Sequence, residues 1–264
     1  MVIASELISP KVGIIGGTGR MGSWFGDLLE GIGSRVFRIG RMTDMTPAQA
    51  ARKCEVVVIS VPMAHTVAMI EEIGPLVSEN GLLMDLTSVK KGPMEAMVRC
   101  SRAEVVGAHP LFGPSAADGS VRRVALCPGR GERGLSWLKG VLEDAGLIVT
   151  VIAPEEHDRM MGIIQGVNHL STLAMALCIS RSGFSFEDLL SCSTQTFMQR
   201  LDRIRSILEQ PAELFGSILM HNPPARGFID QYVTAAEELA RVATKTDGEA
   251  FGDIFEMLRE FFKR

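Results

Sequence analysis

The chain comprises 264 residues and carries a formal net charge of −4, with 46% hydrophobic and 22% charged side chains. This composition excludes an intrinsically disordered chain, because disorder requires few apolar side chains and a high net charge. The slight excess of acidic residues argues against a general nucleic-acid binder and against a protein that binds anionic membranes. The length predicts one or two domains with buried cores.

The five cysteines are widely spaced and include no C-x-x-C pair. The sequence therefore predicts reduced thiols, no metal site and a cytoplasmic location. We expect no membrane contact, because no run of about 18 apolar residues occurs and the first residues lack the basic start of a signal peptide. The most apolar later stretch, 170–179, is interrupted by Ser171 and Thr172 and is predicted to form a buried helix.

In the first part of the chain, short apolar runs alternate with helical patterns. The predicted strands are 11–16, 34–39, 55–60, 81–86, 103–108, 122–127 and 146–152. The predicted helices between them are 20–31, 47–53, 63–76, 90–99 and 132–145. This alternation is typical of an α/β fold with a doubly wound, mostly parallel Rossmann-type sheet.

Beyond residue 153 the strand pattern stops and only helical patterns follow. The predicted helices are 155–181, 185–192, 195–209, 211–220, 224–245 and 248–263. We therefore expect two domains, an α/β domain over 1–153 and an all-helical domain over 154–264.

The last predicted helix carries one apolar stripe at i, i+3, i+4 spacing. Its members are Phe251, Ile254, Phe255, Leu258, Phe261 and Phe262. The stripe predicts either packing within the core of the chain or a helical interface between two copies of it.

A glycine-rich turn follows the first strand directly and opens the first helix. Its residues are Gly17, Thr18, Gly19, Arg20, Met21 and Gly22. In this context the G-x-G-x-x-G pattern predicts a dinucleotide site. Gly17 would permit the tight turn, Gly19 would let the backbone approach a pyrophosphate, and Gly22 would let helix and strand pack closely.

The end of the second strand bears on the choice of dinucleotide. An acidic residue there would bind the ribose 2′-hydroxyl of NAD, but this strand ends in Gly40 and Arg41, and the next carboxylate is Asp44. A guanidinium suits a 2′-phosphate, so Arg41 favours NADP over NAD, unless it is a solvated surface charge.

Three polar clusters follow predicted strands, where Rossmann-type sheets bind their ligands. They are Ser60-Val61-Pro62, expected to line the nicotinamide side, the segment 85–90, and the segment 107–114. The last contains His109, between a strand and a loop fixed by glycine and proline. An imidazole in such a place is suited to take a hydroxyl proton near neutral pH, although a purely structural histidine is the alternative.

Four motifs carry a family resemblance: GGTGRMG (16–22), DLTSVK (85–90), GAHPLFGP (107–114) and EEHDRMMGIIQGVNHLSTLA (155–174). In these the chain resembles the prephenate/arogenate dehydrogenase family of tyrosine biosynthesis. It is most similar to the dehydrogenase half of bifunctional chorismate mutase–prephenate dehydrogenases. The resemblance implies a homodimer, joined through the helical domain, that oxidises and decarboxylates the dianion prephenate to 4-hydroxyphenylpyruvate with NAD or NADP.

The resemblance also assigns site residues. It implies that His109 is the catalytic base for the ring hydroxyl and that Ser88 hydrogen-bonds this hydroxyl. His169 would line the substrate pocket, together with Gln165 one turn earlier on the same predicted helix.

The resemblance further implies an arginine that binds a substrate carboxylate. The segment 196–211 offers Arg200, Arg203 and Arg205, of which the resemblance favours Arg205, whereas solvated helix charges are expected of the other two.

His157 and Asp158 begin the long predicted helix. They are expected either to cap it and pack between domains or to serve the site. Both readings stay open from the sequence.

Three other functions compete with this interpretation. Arogenate dehydrogenase has the same chemistry on an amino analogue and remains open. A 3-hydroxyacid dehydrogenase is expected to use a lysine base in its helical domain, yet 154–210 contains no lysine. A non-catalytic dinucleotide-sensing regulator would bind cofactor without turnover and would leave His109, Ser88 and His169 without a shared purpose.

Overall fold

A computed structural model describes residues 9–113 and 121–263 of the chain. Seven strands form one sheet in the order β2-β1-β3-β4-β5-β6-β7. They are β1 (Lys11–Ile15), β2 (Arg35–Ile39), β3 (Val56–Ile59), β4 (Leu82–Asp85), β5 (Glu104–Pro110), β6 (Arg123–Arg130) and β7 (Ile148–Val151). All neighbouring strands are parallel except β5 and β6. The predicted doubly wound, mostly parallel sheet is confirmed.

Helices connect these strands. They are α1 (Arg20–Gly31), α2 (Pro47–Lys53), α3 (Met63–Ile73) with a 3₁₀ turn at Gly74–Leu76, α4 (Lys91–Cys100) and α5 (Arg133–Asp144). The sheet has a hydrophobic cluster on each face. Val56 and Val58 of β3 belong to one cluster, and Val57 and Ile59 belong to the other. This alternation explains why the strand reads as an unbroken apolar run.

Strand β5 continues two residues beyond its predicted end at residue 108. The reason is its antiparallel partner, because His109 pairs with Ala125 and Pro110 pairs with Val124 of β6. His109 therefore lies inside a strand, and not after one as the sequence pattern suggested. Pro114, the last residue of the predicted loop motif, falls outside the described residues.

The later elements are helical, as predicted. They are α6 (Pro154–Met161), α7 (Asn168–Ser180), α8 (Phe186–Ser191), α9 (Gln195–Leu208), α10 (Ala212–Met220), α11 (Pro223–Thr244) and α12 (Gly248–Phe262). The predicted single helix 155–181 is α6 and α7 joined by a π-helical segment, Gly162–Val167. A Cβ atom on Gly162 would lie 2.7 Å from the ring of Phe228, so glycine allows α11 to approach this segment closely.

The described residues form two compact units. One contains the chain up to Met161 together with Gln210–His221, and the other contains Gly162–Glu209 together with the chain from Asn222 onwards. Helix α10 thus belongs to the unit of the sheet, although it lies in the helical part of the sequence. The division between residues 153 and 154 remains a prediction.

The apolar segment 170–179 is not the buried helix that the sequence predicted. In α7 only His169 is buried, and its apolar residues are half-buried or exposed. The continuous helical run Pro154–Ser180 has 27 residues, and by length and composition alone it is apolar enough to cross a membrane. Its first turns hold buried His157 and Asp158, which hydrogen-bond within the unit of the sheet.

Candidate active site

The glycine-rich turn closes the carboxyl end of β1. The left-handed backbone conformation lies at Gly16, with φ of +84°, one residue before the G-x-G-x-x-G pattern. Gly17 is needed for a different reason, since a Cβ atom there would lie 2.9 Å from the Cα atom of Arg38 in β2. Gly22 serves as expected, because its Cβ atom would lie 2.6 Å from the carbonyl oxygen of Gly16. The turn therefore brings β1, β2 and α1 into close contact.

The amino terminus of α1 fits a pyrophosphate group. Its N-cap is Gly19, which provides no side-chain hydrogen bond to the first turn, and that turn contains no acidic residue. Thr18, Gly19 and Arg20 are exposed. Backbone N–H groups and the positive end of the helix dipole are thus presented to an anion.

Close neighbours surround the residues at the end of β2. A Cβ atom on Gly40 would collide with the side chain of Thr18. Arg38 is paired with Asp27 and Glu30 of α1, at 2.6 and 2.7 Å. Arg41, directly after Gly40, is exposed. Neither of the two residues that directly follow β2 is therefore acidic.

The segment Ser60-Val61-Pro62 lies beside the glycine-rich turn. The Ser60 amide donates to the carbonyl of Ile15 at 2.7 Å, which continues the sheet ladder by one residue, and Pro62 is the N-cap of α3. A Cβ atom on Gly16 would collide with the carbonyl of Ser60. These contacts hold the three residues at the carboxyl end of the sheet, where the sequence pattern predicted them.

A buried ion pair fixes the loop that carries Ser88. The Nζ atom of Lys90 lies 2.6 Å from Asp85 Oδ2 and 2.9 Å from the carbonyl oxygen of Ala108, and neither charged side chain is exposed. The same carboxylate accepts hydrogen bonds from the amide and the hydroxyl of Thr87. Both ends of this short loop are therefore anchored around Ser88, which is half-buried.

Gly107 makes room for this ion pair. It lies opposite Asp85 in the sheet, and a Cβ atom on it would lie 2.7 Å from the sulfur of Met94 and 3.1 Å from Cδ of Lys90. The glycine that begins the GAHP segment is thus explained by packing against the lysine side chain.

His109 is buried at the carboxyl end of β5, with 3% of its surface exposed. Its Nδ1 atom lies 2.9 Å from Nε2 of His157. Burial holds the pKa of His109 well below its ordinary value of 6.5, and any positive charge on the neighbouring His157, together with the charge of Lys90, lowers this pKa further. The imidazole of His109 is therefore neutral near neutral pH, which is the form that can accept a proton.

His157 and Asp158 belong to the same cluster as His109, and sequence reasoning left their role open. The His157 Nδ1 atom lies 2.8 Å from Asp158 Oδ1. The carboxylate of Asp158 also accepts hydrogen bonds from the backbone amides of Lys90 at 2.8 Å and Lys91 at 3.0 Å. Asp158 thus caps the amino terminus of α4 and not that of its own helix.

The predicted substrate-binding residues lie in the second unit. His169 is buried, and its pKa is lowered by burial and by the nearby positive charge of Arg203. Gln165 is half-buried in the π-helical segment. The guanidinium of Arg205 lies 3.7 Å from Asp202 and 4.7 Å from the ring centre of Phe186. The choice of Arg205, which rests on the family resemblance, therefore stays a prediction.

In the part of the chain that the structure describes, no group of three or more His, Cys, Asp or Glu side chains is arranged to hold a metal ion. The five cysteines are free thiols. Burial raises the pKa of Cys127 to about 12, so this thiol is not a nucleophile near neutral pH.

Comparison with protein-family models gives two matches that together span most of the chain. The nucleotide-binding domain of prephenate dehydrogenase matches residues 33–151, and the prephenate dehydrogenase dimerization domain matches residues 153–260.

Individual relatives agree with these matches. The T-protein of Haemophilus influenzae is 30% identical over 252 residues, which are 96% of this chain and 67% of that protein. A probable arogenate/prephenate dehydrogenase of Methanocaldococcus jannaschii is 28% identical over 270 residues, 95% of this chain and 60% of the relative. The chain thus spans two thirds or less of the length of these relatives.

Solved structures share the fold. Prephenate dehydrogenase from Aquifex aeolicus, in complex with hydroxyphenyl propionate and NAD+, superimposes with a TM-score of 0.76 at 18% identity, covering 94% of this chain and 96% of that one. Arogenate dehydrogenase from Synechocystis gives a TM-score of 0.73 at 17% identity, covering 95% and 98% of the two chains.

Proposed function

Because the chain belongs to the prephenate/arogenate dehydrogenase family, we propose that it is a prephenate dehydrogenase, which converts prephenate to 4-hydroxyphenylpyruvate in tyrosine biosynthesis. The observation that carries this proposal is the position of His109. This residue is a buried, neutral imidazole at the carboxyl end of the sheet. The glycine-rich turn that fits a dinucleotide follows β1 at the same end of the sheet.

The reaction requires one proton acceptor and accurate positioning of the substrate ring. As hydride leaves C4 of the substrate ring with its electron pair, the C4 hydroxyl gives its proton to His109. The bond to the ring carboxylate then breaks and releases CO2, and its electron pair makes the ring aromatic. His109 can return the proton to the phenolate oxygen of the product.

A bound nicotinamide dinucleotide would supply the hydride acceptor for this reaction. Its pyrophosphate would be held by the amides of the segment Gly17–Gly22, and Ser60, Val61 and Pro62 would line its nicotinamide side. Ser88 would hydrogen-bond the substrate hydroxyl. The buried pair of Asp85 and Lys90 anchors the loop that carries Ser88 and would hold it in place for this contact. Aromatisation drives the loss of CO2, so positioning is the main task of the protein.

Four initial rates test which substrate the protein oxidises and which cofactor it uses. Purified protein is mixed with prephenate or arogenate and with NAD or NADP, and the absorbance of the reduced nicotinamide is followed. We expect the highest rate with prephenate. A higher rate with arogenate would make the protein an arogenate dehydrogenase, and cofactor binding without turnover of either substrate would favour a dinucleotide sensor.

We propose that NADP is the preferred cofactor, because Arg41 follows β2 where an acid would bind NAD, and Thr18 leaves no room for a side chain on Gly40. Arg41→Ala is expected to raise KM for NADP roughly tenfold or more, since a charge-assisted contact contributes about 1.5–3 kcal/mol. KM for NAD should change little. Arg52→Ala, which removes another exposed arginine close in sequence, is the control. An unchanged KM for NADP in the Arg41 variant would contradict the proposal.

We propose that α9 supplies the arginine for a substrate carboxylate, with His169 and Gln165 as further substrate-binding residues. The family resemblance favours Arg205, whereas the pKa of His169 responds to the charge of Arg203. Arg205 also contacts Asp202 and Phe186. We expect Arg205→Ala to raise KM for prephenate by roughly ten- to a hundredfold, the scale of a hydrogen bond to a charged group. Arg203→Ala is the matched variant, and a larger effect there would assign the role to Arg203.

We propose a cytoplasmic homodimer joined through its helical domain. Helix α12 supports this, because none of its described residues is buried, and Phe251, Phe255, Phe261 and Phe262 expose between 49% and 75% of their surfaces. The stripe is therefore not packed into the core of the chain. Contiguous apolar surface of this kind marks an interface, and sedimentation at micromolar concentration should give twice the mass of 28.6 kDa.

A further inference from the structure

Three buried side chains are hydrogen-bonded in series within the unit of the sheet. Asp158, His157 and His109 are 4%, 1% and 3% exposed. Asp158 Oδ1 lies 2.8 Å from His157 Nδ1, and His157 Nε2 lies 2.9 Å from His109 Nδ1. The series includes the histidine to which the proposed function assigns the proton transfer.

The hydrogen-bond partners of Asp158 fix the direction of this series. Its carboxylate accepts from the amides of Lys90 and Lys91 at the amino terminus of α4, where the positive end of the helix dipole favours an anion. A carboxylate can only accept hydrogen bonds, so Nδ1 of His157 carries a proton. Nε2 of a neutral His157 then bears a lone pair and accepts from Nδ1–H of His109. The lone pair of His109 is thereby placed on Nε2.

We propose that His157 is a positioning residue that holds His109 in the Nδ1–H tautomer, so that Nε2 receives the substrate proton. The proposal rests on the proposed function for the role of that proton. The same series offsets the charge that His109 gains, because the imidazolium donates towards His157 and the anion of Asp158 lies behind it. Such an offset is needed here, because the positive charge of Lys90 raises the energy of a cation at His109. The charge of Lys90 itself is paired with Asp85.

Two variants at position 157 separate the tautomer from mere packing. His157→Gln retains one donor and one acceptor, as neutral imidazole does, so it can donate to Asp158 and accept from His109. His157→Leu fills similar space without either group. We expect the leucine variant to lose roughly 10²-fold or more in kcat, with KM for NADP unchanged, and the glutamine variant to stay within about tenfold of wild type. Equal losses in the two variants would overturn the proposal.

A spectroscopic measurement reads the tautomer without substrate. The chain has only five histidines, so selective ¹⁵N labelling of imidazole gives five pairs of ring signals, and His109→Asn and His157→Gln assign two of them. Nitrogens with and without a proton differ widely in ¹⁵N shift. We expect His109 to show a protonated Nδ1 and an unprotonated Nε2 in the wild type, and to lose this preference in His157→Leu.

Each outcome decides between the proposals. A protonated Nε2 on His109 in the wild type would overturn the positioning role, whatever the substrate is. If instead the tautomer is as expected and neither prephenate nor arogenate is oxidised, the proposed function fails while the positioning role of His157 stands.

Discussion

Replacing His109 with asparagine is expected to lower kcat by roughly 10²- to 10⁴-fold, the usual contribution of a general base. The side chain is buried and neutral, and it belongs to a hydrogen-bonded series anchored on Asp158, so no solvent base can easily take its place. Asparagine preserves a polar group of similar size but cannot accept the proton. Initial rates at saturating prephenate and NADP measure the loss.

Two controls accompany this variant: its affinity for NADP, and the replacement of a second histidine. The Kd for NADP, measured by calorimetry, should be unchanged, because none of the proposed dinucleotide contacts, on the glycine-rich turn, at Arg41 and over residues 60–62, lies on β5. His221→Asn replaces an exposed histidine and should leave kcat unchanged. A kcat within threefold of wild type for His109→Asn would remove this residue from the role of base.

The pH profile gives an independent reading of the same group. Because burial holds the pKa of His109 well below 6.5, the imidazole remains a competent base somewhat below that pH, and kcat should fall only in more acidic solution. Protonation also costs stability. The unfolded histidine binds a proton near pH 6.5 and the folded one binds it only at lower pH, so stability is complete above 6.5 and declines as the pH falls below it. His109→Asn should reduce this acid sensitivity.

The sheet and its first turn were predictable from the sequence for physical reasons. A strand such as β3 is covered on both faces, so it must be apolar throughout, and Val56–Ile59 is recognisable without any long-range information. The glycine-rich turn is equally local, since its steric requirements act over a few residues. The pattern does not identify the residue with the left-handed conformation, which is Gly16, because Gly16 and Gly17 are both glycines.

The partners of His109 could not be derived from local patterns. His157 is 48 residues away and Asp158 lies 68 residues from Lys90, so only the folded chain brings them together. The EEHD segment (155–158) was recognisable as part of a family motif, but the motif does not indicate which residues its side chains contact. The antiparallel pairing that draws His109 into β5, and the packing of α10 with the unit of the sheet, likewise depend on tertiary contacts that no window of the sequence contains.

Replacing Lys90 with methionine is expected to lower the free energy of unfolding by about 3–5 kcal/mol, the cost of leaving a buried charge without its partner. Asp85 and Lys90 are both fully buried, and after the substitution the carboxylate retains only its hydrogen bonds from Thr87. Urea unfolding followed by tryptophan fluorescence measures the loss. Both tryptophans, Trp24 and Trp137, pack against the core of the sheet and report on this unit.

A double variant and a surface lysine make this prediction specific to the buried pair. Asp85→Asn combined with Lys90→Met removes both charges and should recover a large part of the lost stability, because an ion pair buried in the core contributes little beyond matching its own desolvation. Lys139→Met breaks the exposed pair with Glu143 in the same unit and should cost less than about 1 kcal/mol. If Lys90→Met costs no more than Lys139→Met, the ion pair does not hold the loop of Ser88, and the positioning of that serine must come from elsewhere in the sheet.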